Sequence, residues 1–265
     1  LALTYVPGTE RQTGLFWIGG EVNSFFPPEG IYETRALACA GASEPKRVLV
    51  IGFGGGYTTL FFNALPSVDD IVVVELLGDI APFLEENLES ARVTFADPRV
   101  TYIVDDGRRY LHAFPDEKFD LIAIDPLREH FAGHNNLYSE EALTLYLDHL
   151  SYGGVLCAWM MEDHIVPHTI ARVFPYADQF ANELTIASNA PITYNAAYMD
   201  EIASDYKTFV GRLYPDGLPA YPSTDSALNG LIANQDDILG KEKDTPYLTD
   251  LKPWLEYYLF RKPLK

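Results

Sequence analysis

Four carboxylates and a cluster of glycines fall at spacings that suit a bound nucleoside. The run Arg47-Val48-Leu49-Val50-Ile51 stops in Gly52-Phe53-Gly54-Gly55-Gly56-Tyr57, and about twenty residues later Ile71-Val72-Val73-Val74 ends in Glu75. Glycines let the backbone approach a ligand closely, and an acid ending the next strand can take the ribose hydroxyls. Asp105 and Asp106 close a third apolar run ahead of Gly107. A carboxylate there can accept a hydrogen bond from an adenine amino group or cap the helix that follows, and the residue types leave both roles open. Asp125 ends a fourth run, Phe119–Ile124, just before Pro126. The C-terminal edge of a parallel sheet is where ligands bind, so Asp125 is the pivotal candidate.

Other chemistries fit less well. The histidine pairs His130/His134 and His164/His168 have the four-residue spacing of helical metal ligands. The first pair lies in a Gly- and Asn-containing loop, the second flanks Pro167, and neither has the Glu-flanked zinc signature, so no metal is expected. A loop histidine near Asp125 could serve as an acid/base helper. No phosphate-binding GxxxxGK[ST] loop and no nucleophile elbow occurs. The glycine spacing breaks at Tyr57, against a nicotinamide-dependent dehydrogenase.

Elements must position these residues. Strand-like runs (Arg47–Ile51, Ile71–Glu75, Val100–Val104, Phe119–Ile124, Val155–Met160) alternate with helical patterns from about Thr58, at about Gly78–Ser90, around Arg108–Ala113 and over Ser139–Leu150. Gly153-Gly154 reads as the stop of that last helix. The alternation predicts an α/β fold with a parallel sheet covered on both faces. Residues 1–30 read as a small β region in which Gly14–Gly20 is one arm and Pro27-Pro28-Glu29-Gly30 a turn, and residues 31–265 as one main domain beginning with a helix over 31–42. Further on, His168–Asp178 is read as helical, Leu184–Ser188 as a strand, and Ala196–Leu213 stays ambiguous.

With 265 residues, 48% of them apolar and 13% aromatic, the chain can bury a substantial core. A net charge of −19 argues against a nucleic-acid partner, because a phosphate backbone needs basic surface. It suits a cationic substrate, or simply a well-hydrated surface. Cys39 and Cys157, in apolar contexts, read as buried free thiols rather than a disulfide, in keeping with a reducing, cytoplasmic location. No run is long enough to span a bilayer and no signal peptide is evident; the start at Leu1 rather than Met leaves room for preceding sequence.

Taken in order, these residues resemble the spermidine synthases and related polyamine aminopropyltransferases, which share the Rossmann-like class I methyltransferase fold. Residues 15–33 are similar to that family's N-terminal hairpin and the Asp-Glu-x-x-Tyr-His-Glu segment after it, with Asn23 where the family has a cofactor-contacting Gln and Tyr32 at its Tyr. The Gly52–Tyr57 loop resembles Gly-Gly-Gly-Asp-Gly-Gly, and Leu137-Tyr138-Ser139-Glu140-Glu141 the segment closing the active-site loop. Leu248–Tyr257 resembles the Thr/Asn-Asp-Asp-x-Pro-x-x-Glu-Tyr ending of a divergent branch often fused to membrane-spanning segments.

The resemblance implies roles. Asp125 and Tyr32 would be catalytic. Asn23, Gly52, Gly54, Gly55, Gly56, Glu75, Asp105, Asp106, Asp125 and Tyr138 would hold the cofactor, while Arg128, Glu129 and Tyr194 would contact substrate. It implies an aminopropyl donor, decarboxylated S-adenosylmethionine, an amine acceptor, release of methylthioadenosine, a homodimer, and a membrane tether outside this segment. The chain also departs from the family: Gly55 stands at the loop Asp that binds the donor's amine, Arg128 at the second acid of Asp-x-x-Asp, and Glu33 at the His. Losing two carboxylates and gaining a guanidinium suits a dication less. Arg128 turned inward would pair with a carboxylate, such as that of full S-adenosylmethionine; turned outward it is an ordinary surface charge. The alternatives are therefore an S-adenosylmethionine-dependent methyl or aminocarboxypropyl transferase and a non-catalytic nucleoside-binding domain.

Overall fold

A computed structural model describes residues 1–5, 13–124, 133, 135–159, 164–181, 183–240 and 245–252. Asp125, Arg128, Glu129, His130, His134 and the tail from Pro253 lie outside the described residues.

The N-terminal strands β1 (Ala2–Tyr5), β2 (Gly14–Ile18) and β3 (Glu21–Phe26) form a small antiparallel sheet. Gly30, at a φ of 89°, turns the chain into α1 (Ile31–Ser43). Then come β4 (Arg47–Ile51), α2 (Tyr57–Asn63), β5 (Asp70–Glu75), α3 (Ile80–Asn87), α4 (Glu89–Ala96), β6 (Val100–Val104), α5 (Gly107–Ala113) and β7 (Phe119–Ile124). The rest comprises α6 (Asn135–Tyr138), α7 (Glu140–Asp148), β8 (Leu150–Trp159), α8 (Ile165–Val173), β9 (Tyr176–Phe180), β10 (Leu184–Ser188), α9 (Ala196–Leu213), α10 (Thr224–Leu228), β11 (Leu231–Asn234) and α11 (Gln235–Gly240).

The main sheet runs β11-β9-β10-β8-β7-β4-β5-β6. Strands β4 to β8 pair in parallel, and β9, β10 and β11 add an antiparallel wing. Both faces of the central parallel strands are covered, so the inner runs Val48–Ile51, Ile71–Val74 and Leu121–Ile124 are wholly apolar and alternate residues serve opposite layers, whereas the edge strand β6 is only partly buried. Val48 and Val50 face the layer of α1, α2 and α9, while Leu49 and Ile51 face that of α5, α7 and α8. Each such fully buried aliphatic side chain contributes about 1.5–3 kcal/mol.

Several expectations are corrected. Gly153 and Gly154 do not stop a helix; α7 ends at Asp148, and the glycines lie inside β8, where Gly153 at a φ of 79° accompanies a register shift against β7. The span 168–178 is not one helix. Phe174 precedes Pro175 and is extended, so α8 ends there and β9 begins. The helix placed at 78–90 is two, broken where Leu88 is extended. The ambiguous span is a single helix, α9, whose Met199, Ile202, Tyr206 and Val210 form its buried stripe.

The cysteines are also corrected. They are buried as expected, but Cys39 on α1 and Cys157 on β8 face each other with Cα atoms 6.2 Å apart and their sulfurs are joined. Apolar context predicted burial; it carried no information about which residue lies opposite.

Segment Leu248–Asp250 docks against α7. Glu140 N–H donates to Leu248 O (2.9 Å), Asp250 N–H to Glu141 Oε2 (3.0 Å), and Arg108 grips both oxygens of Asp250 at 2.8 Å. Hydrogen bonding from Arg108, aided by Ser139 Oγ at 2.6 Å, holds the Asp250 carboxyl below the usual carboxylate range.

Two measurements check this description. Thiol titration of the unfolded, unreduced protein is expected to find no free cysteine. Because the Asp250 pKa is lowered in the folded state, its stabilisation is present above the ordinary Asp value and lost as pH falls through the lowered one. Asp250→Asn should therefore cost about 1 kcal/mol in urea unfolding at pH 7, with the deficit shrinking below about pH 4.

Candidate active site

The glycine turn is built by backbone geometry. Gly52, Gly54 and Gly56 have φ values of 89°, 53° and 81°, a region that side-chain-bearing residues avoid. Gly52 N–H reaches across to Val74 O (2.9 Å), and Gly56 N–H closes the turn on Phe53 O (2.8 Å). Glu75, ending β5, is buried; its Oε2 accepts the Phe53 N–H at 2.7 Å and its Oε1 the Leu77 N–H at 2.8 Å. Each carboxylate oxygen has two acceptor directions, so these bonds leave capacity for two hydroxyls of a ligand.

Strand β3 lies over this turn. Asn23, Ser24, Tyr32, Gly54, Gly55, Tyr57 and Trp159 line a cleft of about 230 Å³ beside it. Tyr32 Oη donates to Asn23 O at 3.1 Å, tying the first turn of α1 to β3. Burial pushes the Tyr57 phenol well above its ordinary range, so it stays protonated. A Cβ on Gly55 would collide with Ser24 Oγ. The missing acid at 55 is thus a steric requirement of this chain: Ser24 fills the space such a side chain would take.

At the far end of the sheet Asp106 caps α5, its Oδ1 accepting the Arg109 N–H at 2.9 Å. Asp105 Oδ1 accepts from Asp106 N–H (2.8 Å) and from Arg109 Nη1 (3.0 Å). Of the two acids left open by the sequence, Asp106 is the cap and Asp105 is ion-paired. Leu76 and Val104 stay exposed next to them as apolar surface at the sheet edge. Tyr138 is fully buried and donates to Trp159 O at 2.7 Å, supporting the cleft from behind.

Asn23, Gly54, Gly55, Tyr32 and Glu75 thus gather at the C-terminal edge, with Asp105 and Asp106 one strand further along. Asp125 follows Ile124, which lines a neighbouring second cleft. Tyr194 is elsewhere: its hydroxyl donates to Asp178 on β9 at 2.8 Å, and burial together with that carboxylate pushes its phenol up. Glu33 turns away into the core and accepts from Tyr206 Oη on α9 at 3.0 Å. Among the described residues no group of three potential metal ligands forms. No described helix is long and apolar enough to cross a membrane.

Sequence reasoning missed Ser24, Arg35 and Trp159. The signal for Arg35 was present, a lone cation in the apolar helix Tyr32–Gly41.

Comparison with known proteins supplies the family. Residues 34–206, more than half of the chain, match the model of the spermine/spermidine synthase domain. The chain belongs to the spermine/spermidine synthase family. A polyamine aminopropyltransferase of Aeropyrum pernix is 31% identical over 148 residues, covering 52% of this chain and 46% of that protein. Putrescine N-methyltransferase 2 of Nicotiana attenuata is 29% identical over 141 residues, covering 51% of this chain and 38% of that protein. The chain therefore spans less than half the length of these two relatives. A spermidine synthase solved with the transition state analogue AdoDATO superposes with a TM-score of 0.65 at 21% identity, over 86% of this chain and 82% of that one. This likeness confirms the Rossmann-like architecture expected from the sequence.

At position 55, where the family resemblance leads one to expect an acid, this chain packs Gly55 directly against Ser24. Gly55→Asp, which restores the acid, should lower the melting temperature by several degrees. Ser24→Gly in the same chain should recover most of the loss. A Gly55→Asp protein as stable as the parent would contradict the packing described.

Proposed function

We propose that this chain is a spermidine synthase-like transferase that moves an aminopropyl group from decarboxylated S-adenosylmethionine to an amine. The observation that carries the reading is the junction of two clefts, which share Tyr32 and Trp159: one against the glycine turn, the other against the end of β7. A donor seated on the turn, with Glu75 at its ribose and Asp105 or Asp106 at its adenine, would present its sulfonium arm at that junction. An amine in the second cleft would approach from the side of Asp125.

The reaction asks for alignment and a neutral nucleophile. Asp125 takes the ammonium proton; the freed lone pair attacks the carbon beside sulfur, and the carbon–sulfur pair leaves with sulfur as neutral methylthioadenosine. Holding both reactants in line can supply about 7–11 kcal/mol of the barrier. Tyr32, hydrogen-bonded to β3 and shared by both clefts, orients the arm. No metal is required by this chemistry.

A second reading, methyl or aminocarboxypropyl transfer from full S-adenosylmethionine, is favoured by one observation. The described lining of the cleft beside the glycine turn carries hydroxyls and an amide but no carboxylate to seek an amine tail. The products separate the readings, since methyl transfer yields S-adenosylhomocysteine. Carboxylated-donor binding and methylthioadenosine release together would mark aminocarboxypropyl transfer. A homodimer and a tether outside this segment rest on family resemblance alone, and the reading of a cytoplasmic location from free cysteines loses its support in the Cys39–Cys157 bond.

Isothermal titration is expected to give tight binding of decarboxylated donor and methylthioadenosine. Tight binding of only the carboxylated donor would overturn the first reading. Asp125→Asn should lower kcat by roughly 10²–10⁴ while leaving methylthioadenosine affinity nearly unchanged. Absence of turnover with any amine would leave the non-catalytic nucleoside-binding alternative.

A further inference from the structure

The second cleft, about 350 Å³ including space open to solvent, lies between α1, α2 and the sheet edge, and its walls are mostly apolar: Ala36, Phe62, Ala123, Ile124 and Leu184. Into it α1 projects a charge. The Arg35 side chain is only 6% exposed; its Nη2 lies 3.2 Å from Glu183 Oε2 and its guanidinium carbon stands 4.3 Å from the Trp159 ring centroid. Trp159 Nε1 donates to the same Glu183 oxygen at 3.3 Å, and Tyr32 meets the indole edge-on at 5.6 Å.

An indole face with a carboxylate at its rim is the arrangement that receives an organic cation. Here the protein fills it with its own guanidinium. We propose that Arg35 occupies the position a second ammonium of a diamine would take, so that the cleft selects a monoamine with an apolar tail. This rests on the amine-transfer reading above, which it refines. A diamine entering amine-first would bring its far ammonium toward a like charge that is itself only 6% exposed, where repulsion is less screened than between surface charges. An alkyl tail meets the alanine, isoleucine, leucine and phenylalanine walls instead. An acceptor with a terminal carboxylate would have to displace Glu183 from Arg35, so it is disfavoured too.

The test titrates pentylamine, 1,4-diaminobutane and 4-aminobutyrate into the protein with and without saturating methylthioadenosine. Pentylamine is expected to bind at least tenfold more tightly than either of the others. Arg35→Met empties the cation position while leaving Trp159 and Glu183 to receive an ammonium, so diaminobutane should gain at least tenfold relative to pentylamine. Arg35→Lys should keep the parent's order, and Arg35→Met with Glu183→Gln should lose the gain. If Arg35→Met fails to fold by thermal melting, Glu183→Gln alone decides. Its carboxylate is 30% exposed, and its removal leaves the guanidinium less compensated, so diaminobutane should weaken further. Parent preference for the diamine or for 4-aminobutyrate, an unchanged order in Arg35→Met, a diamine gain in Glu183→Gln, or no amine binding at all would overturn the proposal. Failure of methylthioadenosine to bind would instead count against the transferase reading, while the amine order without it still judges Arg35.

Discussion

The Glu75 carboxylate accepts one backbone N–H from the loop after β4 and one from the loop after β5, and the ligand-facing edge of the sheet is organised around those two bonds. The glycine turn has no side chains with which to hold its own shape, and three of its residues occupy conformations that are entropically costly to fix. A buried carboxylate left without donors would be costly in its turn. The two liabilities cancel: the turn supplies the donors the acid requires, and the acid supplies the restraint the turn lacks. Backbone bonds from Gly52 to Val74 and from Asp105 to Glu75 extend the same lacing across three adjacent strands.

The small N-terminal sheet completes what the large one begins. Its strand β3 reaches the glycine turn through Asn23 and Ser24, and the first turn of α1 is fastened to it through Tyr32. Position 55 therefore cannot be read from the turn alone. Whether an acid can stand there depends on the residue above it, which lies thirty-one places earlier in sequence and in a different sheet.

The parts of the fold legible in sequence were those governed by local rules. Strands ending in Glu75 and Ile124, the capping Ser139 and the glycine turn follow from periodicity and backbone permissiveness, and the structure places them at one edge. What stayed hidden depends on register across the chain. Gly153-Gly154 looks like a helix stop until β7 is beside it, and Phe174 looks helical unless the following proline is weighed. The linkage of Cys39 to Cys157 and the meeting of Arg35 with Trp159 and Glu183 join residues over a hundred positions apart, which no spacing argument reaches. Asp105 and Asp106 fall between: the types predicted one cap and one other role, and only the Arg109 amide settles which is the cap.

The bond between Cys39 and Cys157 has a topological consequence. It closes a ring over a separation of 118 residues that contains β4 through β7, the glycine turn and Glu75, and it also fastens the helix bearing Arg35 to the strand bearing Trp159. The glycine turn, Glu75, Asp105 and Asp106 are thus threaded on one covalent loop. A single peptide cleavage anywhere on that loop would open the chain without separating its halves, which would part only once the sulfur bridge was reduced as well.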